Sequence, residues 1–145
     1  MTTVKRILTG LLALSFALVL TPMSPASAAV VTLGKKCEGT TVVRCAWVVH
    51  DPANNRVRGY GSIQDKTSGT DAVRVSVTLA LWNSSYDRYE TVTSSSQASG
   101  YEQSTAGTGL FTCADGQRFR ADAVWEWNST SAGRIQSSGA LIHYC

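Results

Sequence analysis

The sequence predicts an all-β domain: a small antiparallel β-sandwich of about seven strands, immunoglobulin-like in architecture, with two disulfides. Three observations carry this expectation. Apolar side chains recur with a period of two along most of the chain after residue 28. Turn residues interrupt the pattern roughly every ten to fifteen residues. The same stretch shows no convincing helical periodicity. A strand with one apolar row must hide that row, and two sheets packed face to face do so. A small closed barrel is the alternative.

The first 28 residues stand apart. Lys5 and Arg6 precede an apolar run over Ile7–Leu20, broken only by Thr9, Gly10 and Ser15. Pro22, Pro25 and the triplet Ala26-Ser27-Ala28 follow. This order predicts a secretory signal peptide over 1–28, cleaved after Ala28, leaving a single secreted domain over 29–145. The run is short for a membrane span, and no second one follows.

Each strand then has its own signal. Thr41–His50 alternates, with Val43, Cys45, Trp47 and Val49 on one parity and Val42, Arg44, Ala46, Val48 and His50 on the other. Asp51–Asn55 is a turn, set by Pro52 and the Asx residues. Arg56–Ile63 places Val57, Gly59, Gly61 and Ile63 on one side; the paired glycines predict a bulge or a close backbone approach. Ala72–Trp82 is the clearest strand, with Val73, Val75, Val77, Leu79 and Leu81 inward. Arg88–Ser94 is weaker. Ser95–Gly107 is rich in Ser, Gly and Gln and has no period, which predicts a long mobile loop. Thr108–Cys113 and Gln117–Asn128 flank the turn Ala114-Asp115-Gly116. In the second of these, Phe119, Ala121, Ala123, Trp125 and Trp127 form the expected core row. Asn128–Gly133 is expected to turn, and Arg134–Cys145 to return as the last strand.

Cys37, Cys45, Cys113 and Cys145 all follow residue 28. An even number in a small exported chain predicts two bridges. Proximity favours Cys37–Cys45 and Cys113–Cys145, with loop-closure contributions of about 2.6 and about 3.7 kcal/mol. The rival is Cys45–Cys113, the inter-sheet bond of immunoglobulin domains. In size and bridge count the chain resembles small two-disulfide β proteins exported by actinomycetes, such as protease inhibitors and chromoprotein carriers. Its cysteine spacing differs from both, so no functional residue is carried over.

Composition narrows the function. Of 145 residues, 43% are hydrophobic and only 16% charged, which excludes a disordered tail. Thirteen basic residues face ten acidic ones; without Lys5 and Arg6, eleven face ten. A near-neutral domain offers no electrostatic case for nucleic acid or an anionic membrane. Arginine outnumbers lysine, and Ala, Ser, Thr and Gly abound, a composition that hints at a GC-rich bacterial genome. No Cys-x-x-Cys occurs and the two histidines stand far apart, at 50 and 143, so neither metal nor cofactor is expected.

Catalytic patterns are sparse. No Gly-x-Ser-x-Gly elbow and no Gly-rich phosphate loop is present. A ribonuclease-like set would need Glu126, His143, Arg118 and Arg120 to meet, and strand parity sets His143 against it. Two groups are more suggestive as binding surfaces. Trp82, Asn83, Tyr86, Asp87, Arg88 and Tyr89 gather rings and polar groups at a strand-to-turn transition, a combination that suits a sugar. Arg118, Arg120, Asp122 and Glu126 form an outward ladder of alternating charge, a candidate protein-binding face. Asn83-Ser84-Ser85 and Asn128-Ser129-Thr130 match the glycosylation pattern, but in a bacterial chain they read as turns. The expectation is a secreted, non-catalytic interaction module that binds an extracellular protein or glycan, as an adapter or accessory subunit of an exported assembly. Alternatives are an inhibitor of an extracellular hydrolase, using 95–107 as its inserted loop, and a small secreted hydrolase or nuclease.

Overall fold

The computed structural model describes residues 29–145. The signal peptide expected over 1–28 lies outside the described residues.

Eleven strands follow in order: β1 (Val31–Glu38), β2 (Val42–Asp51), β3 (Arg56–Asp65), β4 (Ala72–Asn83), β5 (Arg88–Ser94), β6 (Ala98–Tyr101), β7 (Gln103–Gly107), β8 (Phe111–Thr112), β9 (Arg118–Trp127), β10 (Thr130–Gln136) and β11 (Ala140–Leu141). They form two antiparallel sheets. The first runs β1-β2-β3-β7, with β8 also on β3. The second runs β10-β9-β4-β5, with β11 on β9 and β6 on β4. The cysteines pair Cys37–Cys45 and Cys113–Cys145. Cys37 and Cys45 stand directly opposite each other on β1 and β2.

Apolar parity explains the core. Val73, Val75, Val77 and Leu79 of β4 and Phe119, Ala121, Ala123 and Trp125 of β9 are buried in the second sheet. Ala46 and Val48 of β2 and Val57 and Ile63 of β3 meet them from the first. Gly59 and Gly61 produce a close sheet-to-sheet approach. Their missing Cβ atoms would lie against Ala121 and Ala123, small residues facing small. The β2–β3 register runs without a shift, so no bulge forms there. The Trp125 indole donates its N–H across the core to the Ser62 carbonyl at 3.0 Å.

Four expected elements change, and one strand, β1, has no counterpart among the expected elements. β1 is a strand with no apolar alternation, because an edge strand held by backbone bonds and a disulfide buries little. Ser95–Gly107 is not a mobile loop: β6 pairs with β4 and β7 with β3, so this hairpin stitches the two sheets together. Its small Ser104 and Ala106 are buried, but they are too slight to write a hydrophobic period. Before β9, only Phe111–Thr112 of the expected Thr108–Cys113 strand pairs. The last turn is two residues long. Asn128 and Ser129 both take positive φ, at 47° and 63°, as a tight hairpin of the twisted type requires. The returning chain then bulges at Gly133 and breaks between Gln136 and Ala140. In that break Ser138 donates its N–H to the Gly34 carbonyl of β1, joining the sheet edges.

Trp127 is the one member of the expected core row that fails. Parity turns it inward, but it lies where the core ends and is 38% exposed. Its indole N–H donates to Asp65 Oδ2 at 3.0 Å. Asp65, itself buried, also accepts from the Thr67 hydroxyl at 2.6 Å and the Thr67 amide at 2.8 Å. The Thr67 bonds, with help from Trp127, hold the Asp65 carboxyl below the ordinary carboxylate range. A pKa lowered by folding stabilises the fold above the unfolded value, and that contribution disappears as pH falls through the folded value. In Asp65→Asn the loss of stability below about pH 4 is therefore expected to flatten. Denaturant melts across that range measure it; a decline as steep as in the parent would assign acid sensitivity to other carboxylates.

Candidate functional site

The strand order β9-β4-β5 brings parts of both sequence-predicted groups onto one outer sheet face. Trp82 of β4 stands opposite Tyr89 of β5. Their rings meet edge to face, with centroids 5.0 Å apart at 67°. On the other side of β4, Ala80 faces Arg120 of β9. Alanine leaves room there, and the Arg120 guanidinium lies 4.3 Å from the Tyr89 ring centroid.

Asp122 fixes that guanidinium. Arg120 Nε and Nη2 donate to the two oxygens of Asp122 at 2.8 and 3.1 Å, a bidentate pair. Arg134 of β10 donates to the same carboxylate at 2.7 Å. The Asp122 side chain is only 7% exposed, although parity turns it outward, because two arginine stems cover it. The expected ladder of solvated charges is thus a half-buried Arg–Asp–Arg cluster at its centre. Glu126, at the other end of β9, pairs with Arg74 of β4 at 3.3 Å and takes no part. Arg118 remains exposed at the near end.

Two shallow clefts flank this stack. One, of about 320 Å³, is lined by Trp82, Ser84, Gln117 and Arg118. The other, of about 390 Å³, is lined by Lys36, Tyr89, Arg120, Gln136 and Ser138. Gly139 divides them. A Cβ there would lie 2.4 Å from the Tyr89 hydroxyl and 3.2 Å from Arg118 Cδ, so a larger residue would push these side-chain ends aside. Aromatic rings, guanidinium groups, an amide and hydroxyls thus converge on one flat surface.

Of the aromatic group, Trp82 and Tyr89 belong to this face. Asn83, Tyr86, Asp87 and Arg88 instead build the tip of the β4–β5 hairpin. Asn83 Oδ1 accepts from the Ser85 amide at 3.0 Å, and Asp87 takes φ 52°. Asn83 and Arg88 donate to Glu90 at 2.9 Å each and hold its carboxyl below the usual range. Tyr86 is 66% exposed under the Arg88 guanidinium.

Sequence reasoning missed Lys36, Arg134, Gln136 and Gly139, which reach the face from β1, β10 and the β10–β11 connection. It also passed over a second aromatic pair on the outer face of the other sheet. Trp47 and Tyr60 stack with centroids 5.5 Å apart at 9°, flanked by Lys35 and Arg58. A legible signal existed: Trp47 has the parity opposite to Ala46 and Val48.

The nuclease-like set is not assembled. Glu126 and Arg118 lie eight positions apart on one extended strand, about 27 Å at the usual rise. His143 lies just past β11, which pairs with the Arg118 end of β9. His50 is buried at the end of β2. Comparison with protein-family models, with curated proteins and with solved structures finds no match.

Proposed function

We propose that this chain is a secreted, non-catalytic binding module, and that the outer face of its six-stranded sheet holds a glycan. The observation that carries the reading is the Trp82–Tyr89–Arg120 stack set between two clefts, one mainly polar and one of mixed lining. Sugar rings present C–H faces to aromatic side chains and hydroxyls to planar donors, and this surface offers both side by side. Arg120 is already held by Tyr89 and Asp122, so little rotamer freedom remains to be lost on binding. The two bridges and the signal-like leader support export. Among the described residues no helix is long and apolar enough to cross a membrane.

The hydrolase-inhibitor reading has less behind it, because its inserted loop is the β6–β7 hairpin, paired on both sheets. A protein-binding face at Arg118, Arg120 and Asp122 would use the same surface, so the test must separate the two ligands. On an array of bacterial and plant polysaccharides, the domain is expected to bind a subset. Trp82→Ala and Tyr89→Ala should each weaken that binding roughly tenfold, while Tyr89→Phe keeps most of it. Silence on the array together with capture of a single protein from culture supernatant would replace the glycan by a protein partner. Binding that survives both alanine variants would move the site elsewhere.

A further inference from the structure

We propose that the Cys113–Cys145 bridge is a thiol-exchange site, where a thiol-bearing partner is captured as a mixed disulfide on Cys145 while His50 stabilises the released Cys113 sulfur. This does not depend on the glycan reading. His50 closes the inward row of β2 and is only 7% exposed. Its Nε2 lies 3.6 Å from Cys145 Sγ, its one hydrogen-bond partner among the described residues. The histidine nitrogen and both sulfurs fall within 4.8 Å of one another. The Cys37–Cys45 bridge has no such histidine among the described residues.

The two sulfurs are not equivalent. Cys113 is buried, whereas Cys145 is partly exposed. An incoming thiolate therefore meets Cys145. A new S–S bond forms between the partner sulfur and Cys145 Sγ, the Cys113–Cys145 bond breaks, and its electron pair stays on Cys113 Sγ. One disulfide is lost and one gained, so no oxidant or reductant is consumed. The proton given up by the partner's thiol is held by the His50 imidazole or passed to Cys113. A buried thiolate needs a neighbouring positive charge, and a better-stabilised leaving thiolate departs faster. Cys145 carries the adduct on its partly exposed side, while the Cys113 sulfur stays within 4.8 Å of the imidazole nitrogen. An adjoining cleft of about 470 Å³, lined by Val31, Leu33, His50, Leu141 and Tyr144, gives the apolar residues around a partner's cysteine a place to dock.

Incubation of the intact exported domain with glutathione, alkylation of freed thiols and peptide mass mapping test this. Glutathione is expected on Cys145 and the alkyl label on Cys113, at least about tenfold faster than either appears on Cys37 or Cys45. His50→Gln should slow the Cys145 adduct about tenfold and leave Cys37–Cys45 unchanged, whereas His143→Gln should change neither. Equal reactivity of the two bridges in the parent overturns the proposal, whatever the variants do. So does an unchanged Cys145 rate in a folded His50→Gln domain.

Discussion

Trp125→Ala is expected to cost about 4 kcal/mol, a large part of the stability of a domain this size. Trp125 is fully buried, and its ring fills the core beside the place where glycine and alanine bring the sheets together. Removing the ring leaves a cavity between two sheets that backbone bonds keep apart, so collapse is limited. The change also strips the Ser62 carbonyl of its indole partner. Trp125→Phe separates the two contributions. It restores most of the volume but not the N–H, and about 1–2 kcal/mol of loss should remain. Urea melts of the two variants measure both values. Equal losses would mean that the hydrogen bond, not the packing, dominates.

Gly61→Ala is expected to destabilise the fold by about 3 kcal/mol, far more than one methyl group usually does. An ideal Cβ at this position would lie 2.6 Å from Ala123 Cβ and 2.7 Å from Val77 Cγ2. Both neighbours stand on the facing sheet, and neither has a flexible end that can move away. Relief requires the sheets to separate, which loosens contacts along β3, β4 and β9. Gly59→Ala is the control. Its nearest contacts would be 3.3–3.5 Å, so its cost should be near 1 kcal/mol. Gly61→Ala combined with Ala123→Gly should be less destabilised than the sum of the single changes, because the two positions share one space. Thermal melts of the four variants check the ranking. A Gly61→Ala protein as stable as Gly59→Ala would show that the sheets give way easily at this point.

The charged face illustrates how far the chain itself could be read. Parity alone places Trp82, Arg118, Arg120, Asp122 and Glu126 on the outer side of their strands. It does not say that β5 lies across β4 from β9, and so it does not say that Tyr89 meets Arg120 or that Glu126 is left behind with Arg74. The burial of Asp122 was illegible for a related reason. A carboxylate on an outward position reads as solvated, and only two arginine stems arriving from β9 and β10 cover it. Trp127 shows the opposite error: its parity is inward, but the core stops short of it.

What the chain determined by itself was the alternation of β3, β4 and β9, the turns at Asp51–Asn55 and Ala114–Gly116, and a preference for pairing each cysteine with its nearer neighbour, which the structure then settled. Those properties depend on side chains within a few residues of one another or on the length of the loop between two sulfurs. Only the tertiary structure decided that β1, β6 and β7 are strands, that the β6–β7 hairpin joins the sheets, and that His50 rests against the Cys113–Cys145 bridge. The His50 contact depends on where the folded chain brings the bridge. For the strands, the physical reason is that these elements are held by backbone N–H and C=O groups bonding to distant strands. Every residue but proline carries both of those groups, so the partner a segment will choose leaves no mark in its side chains.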